Sequence, residues 1–568
     1  MEGPHSLDRT SELAYHRNHD AGRGAAIAGS KNRPPRHGTA MQSLELDIPN
    51  TPARSASQES EHAGRRAQLW VRGDALNRAA LTSVVLLGLA LRLYGLTYYG
   101  IWFDEAYHIQ LVSLPAVGDM LRAVLANPPS DPLYVLLLRS WVSVFGHGDA
   151  AVRTLSVILS TVTIPAAYWL GKIAAGRAAG LLGALLLAVS PYAIEFGQQA
   201  SLYVLASLTT TLALAAGLKW RSTGSRRDAA LYMALATVAI YSHYVVAGIL
   251  TLFGLLALYG GSGPSYVTRR DWVAAHAAIF IAWMPWLLPM LASWITAPVP
   301  RTSLRDPVTA DEVIGGLVQF SSGTAALLQR ARVPEVLGLV SGGLLLLAGW
   351  YSGQEPRKRG LRVIIVVSGL IFLLPAVISV ITNLWLFVPH FMVFLLPAGF
   401  VVFGAGLLHI GSSVTTGWRG YLALSLGVAW LVAQVWGVAL FYRHPPHGAD
   451  GLRELAATLN RHAQPEDLVL VTPQALQASL AQYYAGVTRG LPADFDLYNI
   501  YQPYDSASWH NRSLEGFNEH TAGLRRFWLV YWPELDAGGK LLREIQGRYK
   551  QLEQHPYDFA TLYLFENP

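Results

Sequence analysis

The chain has 568 residues, of which 52% are hydrophobic and only 14% are charged, and its formal net charge is +6. A soluble domain usually carries about 25% charged residues, so this composition excludes an ordinary soluble enzyme and indicates a membrane protein. The chain contains no cysteine, which excludes disulfide frameworks, thiolate metal sites and cysteine nucleophiles.

The first part of the chain, residues 1–78, is polar and contains eleven basic and nine acidic residues without an apolar run. A segment of this composition cannot bury a core, so we predict a disordered tail. No apolar stretch follows its first basic residues, which argues against a signal peptide.

The middle part, residues 79–442, is the predicted membrane body. A helix that crosses a bilayer needs about 20 mainly apolar residues. Eleven segments approach this requirement: 79–99, 152–171, 178–193, 201–218, 229–244, 245–260, 272–293, 333–351, 363–382, 384–409 and 420–442.

The charges between these segments predict their orientation. With the N-terminus in the cytoplasm, the loops predicted inside contain thirteen basic and three acidic residues, as expected for cytoplasmic loops. The apolar stretch 132–146 is short for a span, so we expect residues 100–151 to form one long outer loop with amphipathic or re-entrant helices. The odd number of spans then places the C-terminus outside.

The last part, residues 443–568, is more polar and alternates two kinds of pattern. Strand-like runs are separated by amphipathic helical stretches, which predicts a small extracytoplasmic α/β domain. The predicted strands are 467–472, 527–532 and 559–565, and the predicted helices are 452–461 and 474–484. The expected fold class is therefore a polytopic α-helical membrane protein with a small C-terminal α/β domain.

An acidic pair, Asp104 and Glu105, follows the first predicted span in an aromatic setting, from Gly100 to His108. One interpretation is a solvated helix start, since acidic residues favour the first turn of a helix. The other is a functional pair at the outer membrane interface, because ionisable groups near a membrane are often functional. The pair by itself does not decide between them.

Further polar residues lie on the same predicted side of the membrane. Each has a plain explanation as a turn residue, an interfacial cation or a helix end. Their common side nevertheless predicts an outward-facing polar cavity lined by Asp104, Glu105, Arg153, Glu195, His243 and His390.

Five segments carry a resemblance that covers most of residues 79–410. In order and spacing they resemble the GT-C superfamily of integral membrane glycosyltransferases, in particular a bacterial branch related to protein O-mannosyltransferases and the lipid A aminoarabinose transferase. The segments are Trp102-Phe-Asp-Glu105, Asp131-Pro-Leu-Tyr134, Arg153-Thr-Leu-Ser156, Ser190-Pro191 followed by Gln198-Gln-Ala-Ser-Leu-Tyr203, and Tyr241-Ser-His-Tyr244.

The chain departs from the family pattern at several charged positions. The family's Glu and Arg in the fourth segment are Gln199 and Ser201 here, and its late Arg-Tyr is His390-Phe391. Several charges expected to hold a donor phosphate are therefore absent. The cations that could bind the donor phosphate in their place are Arg153, His243 and His390.

The resemblance implies a sugar donor on a polyprenyl phosphate, used at the outer face of a bacterial plasma membrane, with a protein, lipid or glycan acceptor and no nucleic acid. It implies Asp104 as the general base of an inverting transfer, with Glu105 orienting it or binding the acceptor. The expected donor ligands are Arg153, Tyr203, His243, His390 and Tyr134, and Asp131, Glu195 and Gln199 are expected elsewhere in the cavity.

No cofactor is required by this scheme, although Asp104 and Glu105 with Asp131 or Glu195 offer ligands for a divalent cation. Two alternatives remain open. A transporter or flippase for lipid-linked sugars would use the same lipid, but it predicts related repeats and acids near the bilayer midplane. The second alternative is a family member without catalysis that acts as a binding subunit, because Gln199 and Ser201 stand where the family has charged residues.

Overall fold

A computed structural model describes most of the chain beyond its N-terminal tail. The described residues are 56–126, 131–259, 266–296, 313–318, 332–352, 357–382, 389–412, 418–443, 450–472, 476–491, 514, 516–533, 539–557 and 559–567. Residues 1–68 and residues 69–568 separate into two units. The described residues of the first unit, 56–68, are helical. The second unit contains the predicted membrane helices together with the C-terminal region.

Helices follow one another through the predicted membrane body. They are α1 (Ala56–Leu93), α2 (Phe103–Val112), α3 (Val117–Ala126), α4 (Pro132–Phe145), α5 (Asp149–Ala174), α6 (Arg177–Ala188), α7 (Pro191–Gly197), α8 (Leu202–Thr223), α9 (Arg226–Ser242), α10 (Val245–Tyr259), α11 (Arg269–Thr296), α12 (Arg332–Tyr351), α13 (Arg357–Thr382), α14 (Leu396–Ser412) and α15 (Trp418–Arg443), with a 3-10 helix at Pro389–Phe394.

These helices confirm the predicted polytopic membrane fold. Six helices in the described part of the chain are long and apolar enough to cross a membrane, or seven if the bent pair α6–α7 forms one span. Each of the eleven predicted segments contains helical residues, but several of those helices are shorter than a full span, so the number eleven stays a prediction.

The first helix and the outer loop refine two expectations. Helix α1 begins at Ala56, so the disorder predicted for the tail does not extend to residues 56–78, whereas residues 1–55 lie outside the described part. The predicted loop 100–151 contains the three short helices α2, α3 and α4. Pro132 starts α4, and Gly146, with φ +84°, ends it.

The third predicted span, 178–193, is broken rather than continuous. Helix α6 ends at Ala188, and α7 starts at Pro191 after a bend of 62°. Pro191 has no N–H to donate into α6, and its fixed φ suits the first position of a new helix. The hydroxyl of Ser190 accepts the N–H of Ala193 at 3.4 Å and caps that helix.

The C-terminal region contains a five-stranded mixed sheet. Its elements are α16 (Asp450–His462), β1 (Leu468–Thr472), α17 (Leu476–Leu480), β2 (Thr488–Gly490), β3 (Arg526–Tyr531), α18 (Lys540–Arg548), β4 (Lys550–Pro556) and β5 (Thr561–Glu566). The strand order is β2-β1-β3-β5-β4, with β1 parallel to β2 and β3, and β5 antiparallel to β3 and β4. The three predicted strands correspond to β1, β3 and β5 and are confirmed; β2 and β4 were not predicted.

One face of this sheet shares its core with the beginning of the outer loop. Tyr99, Trp102 and Phe103 are buried in the same apolar cluster as Leu455 of α16 and Trp528 of β3. Burial of such aromatic side chains contributes roughly 2–3 kcal/mol each. The C-terminal region is therefore packed directly on the segment that carries the acidic pair.

Candidate active site

The acidic pair lies in the first turn of α2, where acidic side chains interact favourably with the helix dipole. Trp102 precedes the helix, and the Glu105 carboxylate accepts its backbone N–H at 3.0 Å. Glu105 is 1% exposed, whereas its neighbour Asp104 is only partly buried. The two carboxylates therefore occupy different environments.

Glu105 and Arg153 form a buried ion pair, with the guanidinium supplied by the start of α5. Nε of Arg153 donates to Oε1 of Glu105 at 2.8 Å, and Nη2 donates to Oε2 at 2.7 Å. Both side chains are almost fully removed from solvent, at 0% and 2% exposed. A bidentate pair of this kind fixes orientation as well as charge.

The remaining donors of Arg153 are used inside the protein. Nη1 donates to the carbonyls of Leu96 and Tyr99, both at 2.9 Å, and Nη2 donates to that of Gly100 at 2.8 Å. A guanidinium has five N–H groups, and these contacts together with Glu105 occupy all five. In this arrangement Arg153 has no N–H left for a phosphate.

Glu105 also connects α2 to the turn before α8. Its Oε1 accepts the N–H of Ala200 at 2.8 Å. The carboxylate therefore accepts from Trp102, Ala200 and twice from Arg153. This single side chain joins four parts of the fold and leaves its oxygens little capacity for a metal ion.

Gln198 performs a similar task that sequence reasoning did not assign to it. Its Nε2 donates to the carbonyls of Tyr94 at 2.7 Å and Arg92 at 3.1 Å, and its Oε1 accepts from the Tyr99 hydroxyl at 3.1 Å. These bonds fix the chain as it leaves α1. Gln198 belongs to the segment after Ser190-Pro191, but the departure from the family pattern lies at its neighbour Gln199. The sequence therefore singles out Gln199 rather than Gln198.

His108 lies one helical turn beyond Asp104 and is buried. Its Nδ1 is 3.1 Å from the carbonyl oxygen of Ala200, and its ring packs edge-on against Tyr134 at 5.2 Å. Burial lowers the pKa of His108 to about 4, against an opposing effect of the Ala200 carbonyl and Glu105. His108 is therefore neutral near pH 7.

Tyr134 is fully buried, and its hydroxyl lies 3.2 Å from Oγ of Ser156. Asp131, just before α4, is also buried, and its Oδ2 accepts the N–H of Tyr244 at 3.1 Å. Its other oxygen has no hydrogen-bond partner among the described residues. Burial raises the pKa of Asp131 well above its usual value.

His243 and Tyr203 belong to a buried aromatic cluster. The His243 ring lies 4.7 Å from Phe394, 4.9 Å from Phe391 and 6.1 Å from Tyr203, and its Nδ1 accepts the N–H of Val245 at 3.2 Å. The 3-10 helix that carries both phenylalanines also contains His390. The side chain of His390 itself lies outside the described part of the chain.

Glu195 and Gln199 complete the predicted set, on α7 and immediately after it. They are 3% and 7% exposed, and Nε2 of Gln199 has no hydrogen-bond partner in the described part of the chain. Of the expected residues, the structure thus brings Glu105 together with Arg153, and Asp131 together with the His243–Tyr244 turn.

The C-terminal region holds the loop before the acidic pair. The Tyr483 hydroxyl accepts the N–H of Ile101 at 2.8 Å and donates to Asp149 at 2.6 Å. Arg453 donates to the carbonyl of Thr97 at 2.6 Å and also pairs with Asp149. We call Arg453, Tyr483 and Asp149 the clamp. Sequence analysis missed it, since Asp149 lies more than 300 residues from both Arg453 and Tyr483.

A sequence model of one family matches part of the chain. Residues 127–288 match the family described as dolichyl-phosphate-mannose-protein mannosyltransferase. These residues include α4, α5 and the turns that carry Glu195 and His243. No curated protein sequence matches the chain.

Solved structures share the fold over most of the chain. ArnT from Cupriavidus metallidurans, bound to undecaprenyl phosphate, has 13% identity and a TM-score of 0.53, covering 85% of this chain and 97% of that one. The oligosaccharyltransferase AglB from Archaeoglobus fulgidus, in complex with an inhibitory peptide and a dolichol-phosphate, has 12% identity and a TM-score of 0.54, covering 86% and 74%. At these identities the likeness establishes a common fold.

Proposed function

We propose that this chain, which shares its fold with ArnT and AglB and matches the mannosyltransferase family model over residues 127–288, belongs to the GT-C superfamily and transfers a sugar from a polyprenyl-phosphate donor to an acceptor hydroxyl. The reaction takes place at the outer face of a bacterial plasma membrane. The undecaprenyl phosphate in the ArnT structure and the dolichol-phosphate in the AglB structure support a lipid donor. The acceptor is a protein, lipid or glycan.

One observation carries the choice of the general base. Glu105 accepts hydrogen bonds from Arg153 and from two backbone N–H groups. These contacts hold the first turn of α2 in place. Asp104, on the same turn, is the more exposed acid of the pair. We assign it the base, since a base must reach its substrate and be held in place.

The chemical step follows from this assignment. The Asp104 carboxylate takes the proton of the acceptor hydroxyl while the acceptor oxygen forms a bond to the anomeric carbon. The bond from that carbon to the phosphate oxygen breaks on the opposite face, and its electron pair leaves with the polyprenyl phosphate. Attack opposite to the leaving group inverts the anomeric centre.

The other expected residues take supporting roles. We propose that Arg153 positions Glu105 rather than binding phosphate, because its five donors are occupied within the protein. The proposed contacts to the sugar phosphate come from Tyr134, Tyr203, His243 and His390, with Asp131, Glu195 and Gln199 nearby. The scheme uses no metal ion or organic cofactor.

The test is a transfer assay on the full chain in lipid nanodiscs. Radiolabelled polyprenyl-phosphate sugars are supplied with a membrane extract as acceptor source, and release of polyprenyl phosphate is measured. We expect Asp104→Asn to lower the rate by a factor of about 10²–10⁴, the usual contribution of a general base.

Asp119→Asn is the matched control. Asp119 lies in the same outer loop on α3, and its side chain is 44% exposed beside Arg122. The control should transfer at the wild-type rate. Equal rates for Asp104→Asn and Asp119→Asn would rule out Asp104 as the base, and a wild-type protein that releases no polyprenyl phosphate from any donor would favour a member without catalysis.

A further inference from the structure

Three potential metal ligands meet in the C-terminal region, apart from the proposed transfer site. They are His462 at the end of α16 and Glu553 and His555 on β4. One ligand atom from each side chain lies within 4.8 Å of the others, and Nε2 of His555 is 3.0 Å from Oε2 of Glu553. Among the described residues, this is the only group of three or more potential metal ligands whose ligand atoms lie this close together.

The backbone explains why these side chains converge. Glu553 and His555 are two positions apart on a strand, so they point to the same face of the sheet. Strand β4 is the last in the sheet order, paired on one side with β5. Helix α16 lies across that face, and the His462 and His555 rings are 6.0 Å apart.

Helix α16 and the end of strand β4, which carry the three ligands, are joined by a hydrogen bond next to them. The Tyr557 hydroxyl, directly after β4, donates to Oγ1 of Thr458 on α16 at 2.7 Å. The nearby positive charge of Arg526 is neutralised by Asp467, with bonds of 2.7 and 2.6 Å. The spacing of α16 and β4 is therefore compatible with a cation between them, and the charge of Arg526 does not oppose one.

We propose that His462, Glu553 and His555 bind one divalent late transition-metal ion, for which Zn²⁺ is the best match. Two imidazoles and one carboxylate form a donor set that suits zinc and does not suit Mg²⁺ or Ca²⁺, which prefer oxygen. In a tetrahedral zinc site with bonds of about 2.0–2.1 Å, ligand atoms lie about 3.3 Å apart. Small side-chain rotations bring the three atoms to that separation, and water fills the fourth position.

The ion would connect α16 to the edge of the sheet. Arg453 of the clamp lies on the same helix. A bound ion therefore stabilises the C-terminal region in the position from which it holds the outer loop. This proposal does not depend on the proposed transfer activity.

The experiment measures zinc on the full chain, purified in detergent with an affinity tag that contains no histidine. The protein is treated with EDTA, dialysed against ZnCl₂ and then against buffer, and its metal content is determined by mass spectrometry. We expect one Zn²⁺ per chain, lost in His462→Ala and in His555→Ala. Zn²⁺ should also raise the unfolding temperature of the wild type and leave that of His555→Ala unchanged.

His520→Ala is the matched control, since His520 is a partly buried histidine of the same region outside the group. The chain contains 17 histidines, so non-specific binding must be separated from the site. Retention of the ion by the control and its loss from the two variants support the proposal. Equal zinc content in His520→Ala and His555→Ala, or no stoichiometric zinc in the wild type, overturns it.

Discussion

At the scale of single residues, the pairing of Glu105 with Arg153 determines how the acidic pair is used. A buried ion pair stabilises little in net terms, because desolvation offsets the attraction. Its value here is geometric, since the guanidinium holds three carbonyls of the segment after α1 as well as Glu105. Within the acidic pair, Glu105 therefore holds this segment in place.

Glu105→Gln should destabilise the protein strongly. The substitution leaves the Arg153 charge buried without a negative partner, which costs about 3–5 kcal/mol. The apparent free energy of unfolding, followed by tryptophan fluorescence in detergent, measures this loss. Asp119→Asn breaks an exposed pair with Arg122, which is 79% exposed, and should cost less than about 1 kcal/mol. Equal losses in the two variants would mean that the buried pair is not maintained in solution.

His108 gives a prediction for pH. Its pKa is about 4 in the folded protein because burial disfavours the charged ring, whereas an unfolded histidine titrates near about 6.5. Between these values the unfolded chain binds more protons, so stability rises with pH over this window, by about 3 kcal/mol in all. The raised pKa of Asp131 acts with the opposite sign.

The comparison of wild type with His108→Gln isolates this contribution, since Asp131 is present in both. Unfolding temperatures are measured from pH 4.5 to 7.5. The difference between the two proteins should change steadily between pH 4.5 and 6.5 and level off towards pH 7.5, as the unfolded histidine loses its proton. A difference independent of pH would show that His108 is not neutral and buried in the folded protein.

Sequence reasoning found the acidic pair but not the partner of Glu105. The pair was visible because two acids follow an apolar span directly. Arg153 was noticed for its charge and was assigned to phosphate, since its partner lies 48 positions earlier and no helical spacing connects them. Buried pairs between distant segments are a property of the tertiary fold, which local patterns do not contain.

At the scale of elements, close packing of helices depends on small residues. Gly180 of α6 faces the backbone of α5, and a Cβ at this position would lie 2.6 Å from the carbonyl oxygen of Tyr168. A Cβ at Gly171 of α5 would in turn lie 2.5 Å from Cα of Gly180. Small residues at such contacts let membrane helices approach closely, and here they set the distance between α5, which carries Arg153, and α6.

Gly180→Ala should therefore destabilise the protein, although alanine favours helices. The added methyl group meets backbone atoms that cannot rotate away, and overpacking of this kind costs about 1–3 kcal/mol. Gly369→Ala in α13 is the control, because no atom of another described element lies within 4 Å of its Cβ position, and it should be neutral or slightly stabilising. Thermal unfolding of both variants measures the difference. A stability loss in Gly369→Ala as large as that in Gly180→Ala would contradict the packing argument.

Elements with strong apolar patterns were predictable, and those formed by other causes were not. Strands β1, β3 and β5 are apolar and were found, whereas β4, Lys550–Pro556, is polar and exposed at the sheet edge. The break between α6 and α7 lies inside a continuous apolar segment. Hydropathy cannot show such a bend, although the Ser190-Pro191 pair marks its position.

At the scale of the whole molecule, the C-terminal region is joined to the membrane helices at the loop that leads to Asp104. The clamp contacts the backbone of residues 97, 99 and 101, and Arg153 contacts that of residues 96, 99 and 100. Sequence analysis predicted an α/β domain in this region but not its contacts with the loop. These contacts favour a role for the C-terminal region in positioning the loop that leads to Asp104.

Arg453→Ala tests this role. The substitution removes the bonds to Thr97, Tyr99 and Asp149, and charge-assisted hydrogen bonds contribute about 1.5–3 kcal/mol each. If only part of this free energy holds Asp104 in place, the transfer rate should fall by at least about tenfold. The rate with saturating donor is the quantity to measure, because it reports the transfer step rather than donor binding.

Arg461→Ala provides the comparison. Arg461 lies on the same helix, but its guanidinium bonds only to Ala457 and Thr458 of that helix among the described residues. Both variants remove a cation from α16, and only Arg453→Ala releases the outer loop. A rate that falls in Arg453→Ala and stays at the wild-type level in Arg461→Ala therefore assigns the effect to the loop. If both variants transfer sugar as the wild type does, Arg453 does not position Asp104, and the loop is held by Tyr483, Arg153 and Gln198 without it.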